Sequence, residues 1–239
     1  LAVSGKIQSE TNQLSRSTES NEAVKLEAAI VSRIASLAGH DTETIRAVRR
    51  EFSKRIVKLP AALVIELAIK LIDRSEVPRF VGYELIQNHK AAALSLAAKQ
   101  IDRLGSGIDS WGAVDTFACY IAGPAWRERQ IPDKLIKRWA RSKDRWWRRA
   151  ALVSTVPLNS KARGGNGDPA RTIAICQMLT NDRDDMVVKA MSWALRELAK
   201  RDARSVRDFL KEHRTEIAPR VVREVQNKLR TGLKNPRRS

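Results

Sequence analysis

Apolar side chains recur at the helical period along nearly the whole of this 239-residue chain, and no segment carries the alternation of a half-buried strand or the turn residues of a hairpin. A chain patterned in this way can bury its apolar stripes only helix against helix. Val24, Leu26, Ala29, Ile30, Ile34 and Leu37 place one such stripe on a helix over 23–37. Asp41 has the side chain and position of an N-cap for a helix reaching about Val57. Pro60 and Pro78 fit the first turns of the next two, which run to Ile72 and about Gln87, because a first turn leaves its amides unbonded anyway. Further helices are expected over about 90–104, 110–122, 132–142, 143–155, 169–180, 183–200, 202–214 and 217–231. The Gly-rich stretch Lys161–Asp168 bridges two of them. Residues 1–21 are rich in Ser, Thr, Asn and Gln without an apolar stripe and are expected to form a polar arm; 22–232 should form a single domain, and 233–239 a basic tail.

Helices of this length joined by short loops make either a bundle or a solenoid. An internal match favours the solenoid. Asp144-Arg145-Trp146-Trp147-Arg148-Arg149-Ala150 aligns with Asp184-Asp185-Met186-Val187-Val188-Lys189-Ala190 at an offset of 40 residues. In both, an acidic residue opens the helix and a basic residue followed by Ala comes five positions later. A period near 40 is that of HEAT-type helix pairs. The expected fold is therefore all-α: a curved right-handed solenoid of antiparallel helix pairs, whose concave face makes a groove for a rod-like partner.

Charge suggests what that partner is. The 45 Lys and Arg outweigh the 27 Asp and Glu, giving a formal net charge of +18. So large a surplus adds self-repulsion to the folded state and points to a polyanion. Residues 1–50 carry 7 basic and 6 acidic side chains, residues 101–150 carry 11 and 6, and residues 201–239 carry 12 and 5. The excess thus collects in the second half, as expected for one basic face.

Cys119 and Cys176 stand alone, which excludes a disulfide framework and zinc-ligand spacing, and His40, His89 and His213 are scattered and expected to be solvated. Neither metal nor cofactor is expected. No apolar run approaches the ~18 residues of a membrane span. With no signal-peptide pattern, a monomer in a reduced cytoplasmic compartment is expected, associated with the nucleoid when bound to DNA.

Six of the few aromatic residues are tryptophan, and Trp126, Trp139, Trp146 and Trp147 alternate with Arg127, Arg129, Lys134, Lys137, Arg138, Arg141, Lys143, Arg145, Arg148 and Arg149. Interleaved cations and indoles suit phosphates and bases. Trp139 and one of Trp146 and Trp147 are nevertheless expected in the core, since neighbours on a helix point different ways. Trp111 and Asp115 are four apart and share a helix face, so their side chains can converge on one ligand. An acid beside an indole in a basic chain suits a ligand that develops positive charge. A carboxylate near a helix start beside a core indole is the ordinary alternative.

Trp111-x-x-x-Asp115, then Trp146-x-x-Arg149-Ala150-Ala151, then Lys189-Ala190-Met191-Ser192-Trp193-Ala194-Leu195-Arg196-Glu197 resemble the successive motifs of the AlkD-like DNA alkylation repair family, over roughly residues 23–230. The last string is the most specific. That resemblance implies a HEAT-like glycosylase that binds double-stranded DNA and excises positively charged N3- or N7-alkylated purines. It makes Asp115 the catalytic carboxylate, sets Trp111 and Trp193 beside the deoxyribose, and gives Arg149 a backbone phosphate. Arg145, Trp147, Arg148, Lys189 and Arg196 join the expected nucleic-acid contacts. Gly112 stands where the family often has an acid, and no aromatic precedes Phe52. Two other readings fit the charge: a non-catalytic solenoid recognising distorted or branched DNA, and a helical-repeat adaptor for an acidic protein.

Overall fold

The computed structural model describes residues 21–236, and every regular element among them is helical. The helices form two compact units, one ending at Leu96 and the other beginning at Ala97. Most of the expected polar arm, residues 1–20, and the last three residues of the basic tail lie outside the described residues.

The first unit holds α1 (21–35), α2 (Thr42–Ile56), α3 (Ala61–Ile72), α4 (Phe80–Gln87) and α5 (Lys90–Leu94). Asp41 caps α2 as its sequence predicts, its carboxylate accepting from the amides of Glu43 at 2.8 Å and Thr44 at 3.0 Å. Pro60 is the N-cap of α3 and so stands just before the first turn. Helix α4 lies against α3 and α2. The approach is close at Gly82, where a Cβ would come 2.9 Å from the Ala68 carbonyl oxygen. Glu84, only 4% exposed, accepts from Nε of Arg46 and of Arg49 at 2.9 Å each, so its buried charge is paired on both oxygens.

The expected single helix over 90–104 is broken. Helix α5 ends at Leu94, and α6 (Ala98–Gly105) opens after a gap in which Ser95 Oγ donates to the Ala92 carbonyl and the Ala97 amide donates to Gln100 Oε1 at 2.7 Å. Local side-chain bonds there replace the helical ladder. His89, expected to be solvated, is buried instead: its Nδ1 caps α5 by accepting from the Ala92 amide at 3.1 Å.

The second unit continues with α7 (Trp111–Phe117), a π-helical turn over Ala118–Ala122, α8 (Gly123–Arg127), α9 (Asp133–Ala140), α10 (Arg145–Val153) and α11 (Val156–Asn159). It ends with α12 (Pro169–Gln177), α13 (Asp185–Leu198), α14 (Ala203–Glu212) and α15 (Pro219–Thr231). Contacts sort these helices into two rows. Helices α7, α10, α13 and α15 touch in succession, and α9, α12 and α14 form a second row behind them, α9 against α10, α12 against α13. That is the helix-pair stacking the repeat predicts. The aligned acids do matching work: Asp144 accepts from the Trp146 amide and Asp184 from the Met186 amide, capping α10 and α13.

Candidate active site

Each expected catalytic residue lies on the first of these rows. Trp111 opens α7 and is 62% exposed, unusual for an indole on a packed helix. Asp115 follows one turn later. It lies beyond the first helical turn and bonds a side chain from α10, so the ordinary reading of a helix-start carboxylate does not describe it. Arg149 Nε donates to Asp115 Oδ1 at 2.9 Å and Nη2 to Oδ2 at 2.8 Å, a two-pronged pairing across 34 residues of sequence. Arg149 Nη1 donates to the Met186 carbonyl at 2.6 Å, tying α7 and α10 to the start of α13.

The pair is asymmetric in its access to solvent. The Arg149 side chain is 7% exposed and that of Asp115 19%. The carboxylate is therefore the more solvent-accessible member of the pair. Burial pushes the Asp115 pKa above the ordinary aspartate value, and the hydrogen bonds and charge of Arg149 pull against that rise. The result is a carboxylate fixed in direction, with one lone pair of each oxygen already engaged. Immediately after it comes the π-helical turn, the kind of bulge that often marks a functional position. Gly123 closes this stretch, where a Cβ would come 2.7 Å from Pro157 and 2.8 Å from the Ser154 carbonyl. Cys119, one turn past Asp115, is buried with its thiol pushed up to about 12 by desolvation, and so is no nucleophile.

Trp193 sits half-buried on α13, the helix that Arg149 touches. Arg196, one turn on, donates from Nε to Ser192 Oγ at 3.2 Å, and Ser192 Oγ donates to the buried Glu224 at 2.6 Å. Glu224 also accepts from Arg220 at 2.9 Å, so α15 braces the Trp193 helix.

The expected phosphate contacts divide. Arg145 is exposed, stacked 4.7 Å from the Trp146 ring centroid, and Lys189 reaches only Asp185 on its own helix, at 2.5 Å. These two remain near the surface, whereas Arg196 is half-buried and burial lowers its pKa. Arg148 turns inward to Asp182 at 2.6 Å and to the carbonyls of Ser142 and Lys143. Trp147 packs its ring 4.9 Å from that of Trp139 and edge-on to Phe117. Trp126 and Trp139 are core residues, their indole N–H groups donating to Asp133 at 2.7 Å and Asp102 at 2.9 Å. Much of the tryptophan–arginine alternation is therefore internal packing.

Among the described residues no group of three His, Cys, Asp or Glu side chains stands close enough to hold a metal ion, and no helix is long and apolar enough to cross a membrane. The profile of the family described as DNA alkylation repair enzyme matches residues 12–229. No curated protein is similar enough in sequence to count as a match. An exposed indole one turn from a clamped carboxylate, on a basic stack of helix pairs matched along most of its length, leads to one assignment: the chain belongs to the DNA alkylation repair enzyme family.

Proposed function

We propose that this protein is a DNA glycosylase that releases cationic N3- and N7-alkylated purines from duplex DNA by hydrolysing the N-glycosidic bond. The Asp115 carboxylate, clamped by Arg149 one helical turn after the exposed Trp111, carries this reading. An alkylated purine already bears the positive charge that makes it a leaving group. When its bond to C1′ breaks, the electron pair goes to the purine nitrogen and neutralises it, and positive charge appears on the sugar. A carboxylate held in place stabilises that charge without reorganising, and indole faces add to it. Water then adds at C1′, and its proton passes to Asp115 and on to solvent. Burial favours that proton transfer by raising the proton affinity of Asp115, and the hydrogen bonds and charge of Arg149 pull against that rise.

In this mechanism Arg149 acts through Asp115. Three of its five N–H groups are committed to Asp115 and Met186 in the absence of DNA, so the immediate phosphate contacts fall to Arg145, Lys189 and Arg196, and Trp111 and Trp193 are assigned to the sugar. The test is direct. A duplex carrying 7-methylguanine or 3-methyladenine is incubated with the protein and free base is separated by chromatography. Release of the methylated base with an abasic site left in the strand is the expected result. Binding of the duplex without release of any cationic base would place the chain with non-catalytic DNA binders.

A further inference from the structure

The last helix pair carries a feature that excision does not use. Helices α14 and α15 both reach α13, and a groove of about 1170 Å³ opens along them. Its floor is apolar, formed by Leu210, Ile217, Val222 and Leu229. Its walls are cationic. Arg207, Lys211 and Arg214 follow one another at i, i+4 and i+7 on α14 and the turn beyond it, and Arg223 and Arg230 do the same on α15 with Asn227 between them. Each set is thus one ridge of its helix. Arg183 closes one end, fixed by a 2.6 Å bond from Nη2 to the Glu216 carbonyl. Neither a carboxylate nor an aromatic ring lines the groove.

That combination distinguishes between polyanions. A single strand of nucleic acid would find no ring on which to stack its bases. A duplex backbone would satisfy the arginines and leave the apolar floor facing phosphate, with nothing gained from covering it. A helix with one apolar face and acidic flanks matches both surfaces, floor to stripe and ridges to carboxylates. At about 10 Å across and 5.4 Å per turn, roughly two to three turns of helix fill a space of this size. We propose that the α14–α15 groove is a docking site for an acidic amphipathic helix of a partner protein, separate from the Asp115 site and independent of the excision chemistry.

The test uses the full chain and a fluorescein-labelled peptide of about 15 residues, long enough to hold a helix, with Leu at i, i+3, i+4 and i+7 and Glu at most other positions. A scrambled peptide of the same composition and a labelled duplex serve as competitors in anisotropy. The patterned peptide should bind about tenfold or more tighter than the scramble, a difference of the size that burying a Leu or two supplies. Leu229→Asp, at a half-buried floor position, should remove that preference with duplex affinity unchanged, and the pair Arg214→Glu with Arg223→Glu, both exposed, should remove it with melting temperature unchanged. Equal binding of the scramble would show only a general polyanion surface and overturn the proposal. So would patterned binding that survives Leu229→Asp. Loss of duplex binding in the arginine variants, with peptide binding intact, would reassign the groove to nucleic acid.

Discussion

Replacing Asp115 by asparagine keeps the side chain's shape and removes its charge, and the structure sets the size of both consequences. The amide can still accept one of the two Arg149 bonds, but it turns an N–H group towards the other donor. A buried cation is then left without its counter-charge. Breaking a fully buried pair costs about 3–5 kcal/mol. Here Asp115 retains 19% exposure, one bond survives, the Met186 carbonyl still holds Arg149, and the neutral amide escapes the desolvation that raises the Asp115 pKa. A cost of about 1–3 kcal/mol follows, or roughly 5 °C in melting temperature for a chain of this size. Against a total stability of roughly 5–15 kcal/mol, that leaves the variant folded at 25 °C. Its excision rate should nonetheless fall by about 100-fold or more, the scale on which one preorganised electrostatic group acts. Single-turnover release of 7-methylguanine, followed beside thermal melting, separates the two effects. The pH profile supplies a second check. Because the ionised form is needed and burial raises its pKa, wild-type activity should be lost on acidification starting at a higher pH than an exposed aspartate would allow, and the variant should lack that limb. A variant rate within about threefold of wild type, well below the effect of losing such a group, would remove Asp115 from the mechanism.

Trp111→Ala should change stability by less than about 0.5 kcal/mol because the indole is mostly exposed, yet slow excision about 3- to 30-fold through the loss of its face, as read by the same single-turnover assay. Duplex affinity should fall steeply with salt, with a log–log slope of about −0.9 per phosphate neutralised, and Lys189→Ala should lower that slope by about one contact, measured by anisotropy titration. Gly105→Ala should destabilise by about 1–3 kcal/mol in urea melts, because its Cβ would overlap the Trp147 ring and stand 2.8 Å from Phe117, with both sides already packed.

What could be read from the sequence is what depends on neighbours along the chain. Asp144 and Asp184 announce two helix starts because a cap bonds amides two residues away, and their 40-residue offset announces that the helices are equivalent in the stack. Trp111 and Asp115 share a face because one helical turn separates them. The partner of Asp115 is invisible in the same sequence. Nothing near Arg149 marks it as the buried member of a pair rather than a phosphate ligand, since that depends on how α10 crosses α7. The aligned residue Lys189 has the same local context and stays near the surface. The tryptophans mislead for a related reason. Interleaving with arginine is the same pattern whether an indole meets a base or, as in Trp126 and Trp139, buries its ring and satisfies its N–H on a neighbouring aspartate. The break before α6 and the π-helical turn after α7 depend on single side-chain bonds and close backbone contacts that periodicity does not register.

The proposed mechanism rests excision on a single clamped carboxylate, with no general acid to protonate the departing base. The leaving group must therefore carry its own positive charge. The most direct test compares, in the same duplex context and under single-turnover conditions, release of a cationic purine such as 7-methylguanine with release of a neutral one such as hypoxanthine. The cationic base should be released at least about 100-fold faster, since protonation by an acid is worth roughly that much or more to a neutral leaving group. Comparable release of the two bases would contradict the mechanism, because it would require a proton donor that Asp115 and Arg149 do not provide.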